Sequence, residues 1–219
     1  MGTDSSRHTG PRPRTTDGTQ QLATLLSQAH VFLQGYRTGA LAAKGLSAEV
    51  LAQRYPGLVI AELSAYGSSG PWASRRGFDA LVQTATGFNL AEAQAAGRTQ
   101  PQAMPVQILD DAAGHLLAFG IQAALVRQAT QGGTWRVRVS LAGVAHWLRG
   151  MGQDAGGLAA VAPPDRSPWM ESGPCGFGAG SQAVELRAMR HAAQLSITPA
   201  QWRLPSMPPG SHAPAWPAE

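Results

Sequence analysis

Between residues 20 and 141 the apolar positions change period several times, and each change marks an element. "QQLATLLSQA" places leucines at helical spacing, which predicts a helix over residues 20–29. "HVFLQ" is short, apolar and β-branched at its start, and reads as a buried strand. Ser47 is a candidate N-cap for "AEVLAQRY", and Pro56 and Gly57 end that helix. "LVIAEL" then reads as a second buried strand. Strand, helix and strand with continuous apolar strands is the pattern of a parallel α/β unit.

A loop dense in Gly and Ser follows, residues 64–77, "SAYGSSGPWASRRG". Its place matters, because open parallel sheets bind ligands at the C-terminal ends of their strands. "FDALVQTATG" reads as a short helix, and residues 88–104 as irregular. A helix apolar on nearly every face is predicted from about residue 111 to 129, ended by Gly132 and Gly133. "TWRVRVSL" alternates and reads as a strand. Residues 1–18 read as a disordered polar arm, and residues 151–219 as a Gly/Pro-rich segment packing on the domain of residues 19–150. Within that segment "AVELRAMRHAAQLS" fits a strand and turn or a short helix, and "GFGAG" at 176–180 a turn or, less readily, a ligand loop.

Composition narrows the function classes. Of 219 residues, 14% are charged and 43% hydrophobic, which implies much buried surface. The net charge of +4 is scattered arginine without a basic run, so nucleic-acid binding is not expected. The longest apolar run, around residues 116–126, is too short to span a bilayer. One cysteine, Cys175, excludes an intrachain disulfide, and a reducing, cytoplasmic location is expected. The six histidines show no metal-ligand spacing, so no metal is expected.

Asp110 and Asp111 stand at the head of the long apolar helix. On spacing alone they read as a capping pair, since Asp accepts free N–H groups and suits the positive end of the helix dipole. The order of four segments adds a second reading. "VFLQGYRTGALAAKGLS", "LSAYGSSGPWASRRGFDALVQTATG", "DDAAGHLLAFGIQAAL" and "RVRVSL", in this spacing, resemble the family III CoA-transferases, the CaiB/BaiF family. The resemblance implies a partial nucleotide-binding-type parallel sheet with a Pro/Gly/Trp-rich C-terminal extension. It implies transfer of CoA between an acyl-CoA and a small carboxylic acid, with acyl-CoA as substrate and no permanently bound cofactor.

In that family a catalytic aspartate precedes a glycine by four residues at a helix start, which maps to Asp110 and Gly114. The resemblance implies attack on the thioester, a mixed anhydride, and then an aspartyl-CoA thioester. A carboxylate is ionised at neutral pH and needs no base to attack. Asp111 would be structural, and backbone N–H groups nearby are expected to hold the oxyanion.

The family's Asn-Phe-Arg-Pro-Gly stands here as Gly35, Tyr36, Arg37, Thr38 and Gly39. It implies Tyr36 against adenine and Arg37 and Lys44 on phosphates; loop packing and solvated surface are the alternatives. Tyr66, Gly67 and Gln83 are candidates for lining the acyl or pantetheine channel. Phe78 stands where the racemase branch has histidine and cannot move a proton, which argues for a transferase.

Set against the family pattern, residues 1–18 read as unrelated polar sequence, so the family's opening strand and turn are not expected in this chain. The resemblance therefore implies a homodimer or a partner supplying that segment. The competing class is a non-catalytic or partner-dependent acyl-CoA-binding fragment of a split or truncated member.

Overall fold

The computed structural model describes residues 16–152, 165–175, 184–198 and 204–216. The chain divides into two compact units, residues 26–160 and residues 1–25 with 161–219.

The larger unit holds a three-stranded, all-parallel sheet in the order β1-β2-β3. β1 is Val31–Gln34, β2 is Val59–Ser64 and β3 is Arg136–Ser140. Val31 pairs with Val59, and Ile60 with Arg136. Parallel neighbours require crossovers, and helices supply both. α2, Ala48–Arg54, lies between β1 and β2; α3 (Asp79–Ala85), α4 (Phe88–Ala95) and α5 (Ile108–Gln131) lie between β2 and β3. α6, Leu141–Gly150, follows β3 without a gap.

The fold class agrees with the sequence reading: an α/β chain around a parallel sheet. β2 is central, with Val59, Ile60 and Ala61 buried, which explains why "LVIAEL" is apolar without alternation. Ser47 caps α2 as expected, its hydroxyl accepting the Val50 N–H at 3.3 Å. Beneath the end of the sheet, Val82 of α3, Leu109 and Ala113 of α5, and Leu141, Val144 and Ala145 of α6 form one buried cluster. α5 approaches β3 closely at Gly120, where an added Cβ would lie 2.7 Å from Val137 Cγ1.

Several expectations are corrected. The first helix, α1, runs Thr16–Gln28, so residues 16–18 of the expected arm are helical; Asp17 in its first turn favours that earlier start. The rest of the arm lies outside the described residues. Residues 88–95 form α4, not irregular chain. Its Ala, Leu, Glu and Gln are good helix formers with almost no periodic stripe, so propensity carried the signal that period did not. α6 was not anticipated; Ser140 caps it, accepting the Gly143 N–H at 3.1 Å.

In the smaller unit, β4 (Met170–Cys175) and β5 (Val184–Met189) form an antiparallel pair, which settles "VELRAM" as strand. Trp216 Nε1–H donates to the Leu25 carbonyl at 3.2 Å. The "GFGAG" segment lies outside the described residues. No helix among the described residues is long and apolar enough to cross a membrane.

Candidate active site

The loop after β2 is closed on itself by specific bonds. Ser64 Oγ accepts the Gly67 N–H at 3.1 Å, and Gly67 has φ +88°, a conformation that favours glycine. The Ala142 N–H donates to the Ala65 carbonyl at 2.9 Å, tying the loop to α6. Tyr66 and Trp72 stack edge to face with centroids 5.1 Å apart, and the Arg75 guanidinium lies 4.6 Å over the Trp72 ring. The loop returns past its own start at Gly77, where an added Cβ would sit 2.8 Å from Ala65 Cβ.

That return delivers Asp79 to the head of α5. Asp79 is 1% exposed. Its Oδ2 accepts the Leu109 N–H at 2.8 Å and the Asp110 N–H at 3.0 Å. Its Oδ1 accepts from the Gln83 amide, which also donates to the Val106 carbonyl at 3.0 Å. The residue that caps α5 therefore comes from α3, thirty positions earlier. The N-cap position itself, Gln107, makes no side-chain cap bond. Asp110 and Asp111 lie inside the first turn and cap nothing, which corrects the capping-pair reading.

Asp110 is left free for other work. Its carboxyl, though still exposed, is pushed above the usual carboxylate range, first by partial desolvation, then by the negative charges of Asp79 and Asp111. It lines a cleft of about 510 Å³ with Tyr36, Leu63, Phe78, Leu141 and the cations Arg37, Arg75 and Arg76. A second cleft of about 450 Å³ lies along the strand ends and is more polar. It takes in Gly67, Ser68, Arg136 and Arg138. Tyr36, Arg37, Thr38, Leu63 and Ser64 line both clefts, so the two adjoin. Arg136 is neutralised by Glu49 at 2.9 Å and by Glu62, whereas Arg138 donates to Ser68 Oγ at 2.9 Å.

The structure brings some candidates together and not others. Asp110, Tyr36, Arg37 and Gly67 lie on the two clefts. Lys44, exposed at the end of a short 3-10 turn, lines neither, and Tyr66 is engaged with Trp72. Gln83 is buried and holds Asp79, so it braces the site from behind and lines neither cleft. Three first-turn N–H groups are also committed: Leu109 and Asp110 donate to Asp79, and Asp111 to the Gln107 carbonyl. These three are not free to hold an oxyanion. Sequence reasoning missed Asp79, Arg75, Arg76 and Arg138. Asp79 had only the signal of an acidic residue opening a helix, which pointed to its own helix and not to α5. Among the described residues no group of three His, Cys, Asp or Glu could hold a metal.

Residues 13–170 match the model of CoA-transferase family III, and the chain belongs to that family. A probable fatty acyl-CoA transferase of Mycobacterium tuberculosis is 36% identical over 135 residues, 62% of this chain and 34% of that protein. Its crystal structure aligns with a TM-score of 0.59 and 34% identity, covering 64% of this chain and 39% of that one. Cinnamoyl-CoA:phenyllactate CoA-transferase of Clostridium sporogenes is 36% identical over 124 residues, 57% of this chain and 30% of that protein. A CaiB/BaiF family protein from Brucella suis aligns with a TM-score of 0.57 and 25% identity, covering 70% of this chain and 40% of that one. The chain spans about a third of the length of the curated relatives it matches.

Proposed function

We propose that the chain transfers CoA between an acyl-CoA thioester and a carboxylic acid, with Asp110 as nucleophile. One observation carries this reading: a cleft-lining carboxylate sits at a helix head while a different carboxylate, Asp79, does the capping. A carboxylate not used for capping, and raised above its usual pKa, is a stronger nucleophile than an ordinary aspartate.

In the first step an Asp110 oxygen bonds to the thioester carbonyl carbon, the C–S bond breaks and CoA leaves as thiolate. The thiolate then attacks the Asp110 carbonyl of the anhydride, and the donor acid leaves as carboxylate. The acceptor carboxylate attacks the aspartyl thioester and expels thiolate. The thiolate attacks the acyl carbonyl of the new anhydride and restores Asp110. The polar cleft, with Arg37, Arg138 and the Gly67 loop, suits the phosphates of CoA, and Tyr36 suits adenine; the Asp110 cleft suits the acyl group. CoA is substrate, and no resident cofactor takes part. The proposed setting is the reducing cytoplasm, as a homodimer or with a partner that completes the site.

Hydroxylamine trapping with intact-protein mass spectrometry tests the reading. Incubation with a panel of acyl-CoAs is expected to convert an activated aspartyl group to a hydroxamate in the wild type and in Asp111→Ala, and not in Asp110→Ala. A folded chain that binds acyl-CoA without forming an adduct would overturn stand-alone catalysis. That outcome favours the alternative reading, partner-dependent binding of acyl-CoA.

A further inference from the structure

Gln83 lies on the buried side of α3, four residues after Asp79. An apolar side chain could fill that place, and a buried amide is tolerated only where its polar atoms are paired. Here both hydrogens of the amide are in use. Nε2 donates to Asp79 Oδ1 and to the Val106 carbonyl, the latter at 3.0 Å. Asp79 Oδ2 in turn accepts the Leu109 N–H at 2.8 Å and the Asp110 N–H at 3.0 Å. One amide thus holds the chain on both sides of Gln107: directly at Val106, and through Asp79 on the first turn of α5.

The bend into α5 takes little hold from its own side chains. Val106 is 49% exposed, and Gln107 is exposed and makes no side-chain cap bond. The two bonds of the Gln83 amide therefore decide where the bend sits against α3. Asp110 follows the bend, because its own N–H is the last link of the chain that runs from Gln83 through Asp79. Its carboxyl lines the cleft beside Phe78 and Leu141, whereas Gln83 lines neither cleft. A shift of about 1 Å in a reacting group can cost about a hundredfold in rate, even when its cause lies away from the chemistry.

We propose that Gln83 is a positioning residue for Asp110: by holding the Asp79 carboxylate and the Val106 carbonyl at once, it sets where the first turn of α5 presents the nucleophile. The inference rests on Asp110 being the nucleophile, as proposed above. Gln83 touches no substrate and acts through Asp79. Its loss slows attack on the thioester and leaves the binding of CoA as it was.

Gln83→Met tests this, because it keeps the length of the side chain and removes both N–H donors. The rate of hydroxamate formation is measured with saturating acetyl-, butyryl-, phenylacetyl- and palmitoyl-CoA, and the Kd for CoA by titration calorimetry. Both are read well below the melting transition, so that only folded chain is compared. The trapping rate is expected to fall about tenfold or more, with the Kd for CoA within about twofold of wild type. Asp79→Asn is expected to be slow for the same reason. The double variant is expected to be no slower than the slower single variant, because the two residues act in one chain of contacts. An unchanged rate in folded Gln83→Met would overturn the inference alone. So would losses that multiply in the double variant, which would assign Gln83 to packing independent of Asp79. Failure of Gln83→Met to fold would assign the residue to stability and overturn its positioning role. No hydroxamate in the wild type with any of these thioesters would overturn the reading of Asp110 and this inference with it.

Discussion

Asp79→Asn isolates the contact on which the site geometry depends. The Asp79 carboxylate satisfies two first-turn N–H groups of α5 through one oxygen and the Gln83 amide through the other. Asparagine keeps one acceptor oxygen. If that oxygen stays on Leu109 and Asp110, its NH2 group meets the Gln83 NH2 group, and two donors face each other. Turning Gln83 over moves the conflict to the Val106 carbonyl. One buried polar pairing is lost in either arrangement, at about 1–3 kcal/mol. Loss of the negative charge at the helix N-terminus adds about 0.3–1 kcal/mol. Relief of repulsion with Asp110 works the other way, and solvent at the exposed Asp110 side chain keeps it smaller. The net loss is about 2–3 kcal/mol, which for a chain of this size lowers Tm by roughly 4–12 °C. Thermal denaturation followed by circular dichroism measures it. Carbon-detected NMR titration of Asp110 reads the electrostatic part: its midpoint is expected to move down in the variant, because a charge that raises it has gone. A Tm within about 1 °C of wild type would refute the capping role, and an unmoved Asp110 midpoint would refute the charge coupling.

Two further outcomes follow from the same geometry. The folded state raises the Asp110 pKa, so folding favours its protonated form; the ionised form costs stability at neutral pH, and that cost disappears as pH falls through the raised value. Asp110→Asn is therefore expected to melt higher than wild type at pH 7 and level with it in acid, while losing hydroxamate trapping. A lower melting temperature for the variant at pH 7 contradicts the sign. Gly77→Ala places a methyl 2.8 Å from Ala65 Cβ and 3.0 Å from Val82 Cγ2, neither of which can swing away without backbone movement. Overpacking of this kind costs about 1–3 kcal/mol, and urea unfolding at unchanged or higher midpoint would show that the loop return is looser than described.

Much of the larger unit was legible because local and global signals agreed. The apolar run of β1, the Ser47 cap of α2, the unalternating β2 and the alternating β3 each announce their own state. Elements without a period were lost: α4 has helix formers but no stripe, and α6 begins directly where β3 ends, so one apolar run crosses two states. Of the candidate site, Asp110 was reached through the ordered series of motifs, as were Tyr36, Arg37 and Gly67. Lys44 and Tyr66 carry the right chemistry, yet one is outside both clefts and the other is packed on Trp72.

The sequence by itself determined the types of the periodic elements, the family and which residues carry charge, because these depend on side-chain identity and spacing along one segment. It could not determine which carboxylate caps α5. Asp79, Asp110 and Asp111 are chemically alike, and both local rules favour the pair at the helix head. The tertiary structure reversed that assignment by bringing the start of α3 against the start of α5. The close return at Gly77 sets Asp79 where its oxygens reach the free N–H groups first. Asp110 is thereby left facing the cleft. The same packing carries Arg75 and Arg76 from an exposed loop to the cleft rim, a juxtaposition that no spacing within "ASRRGFD" encodes.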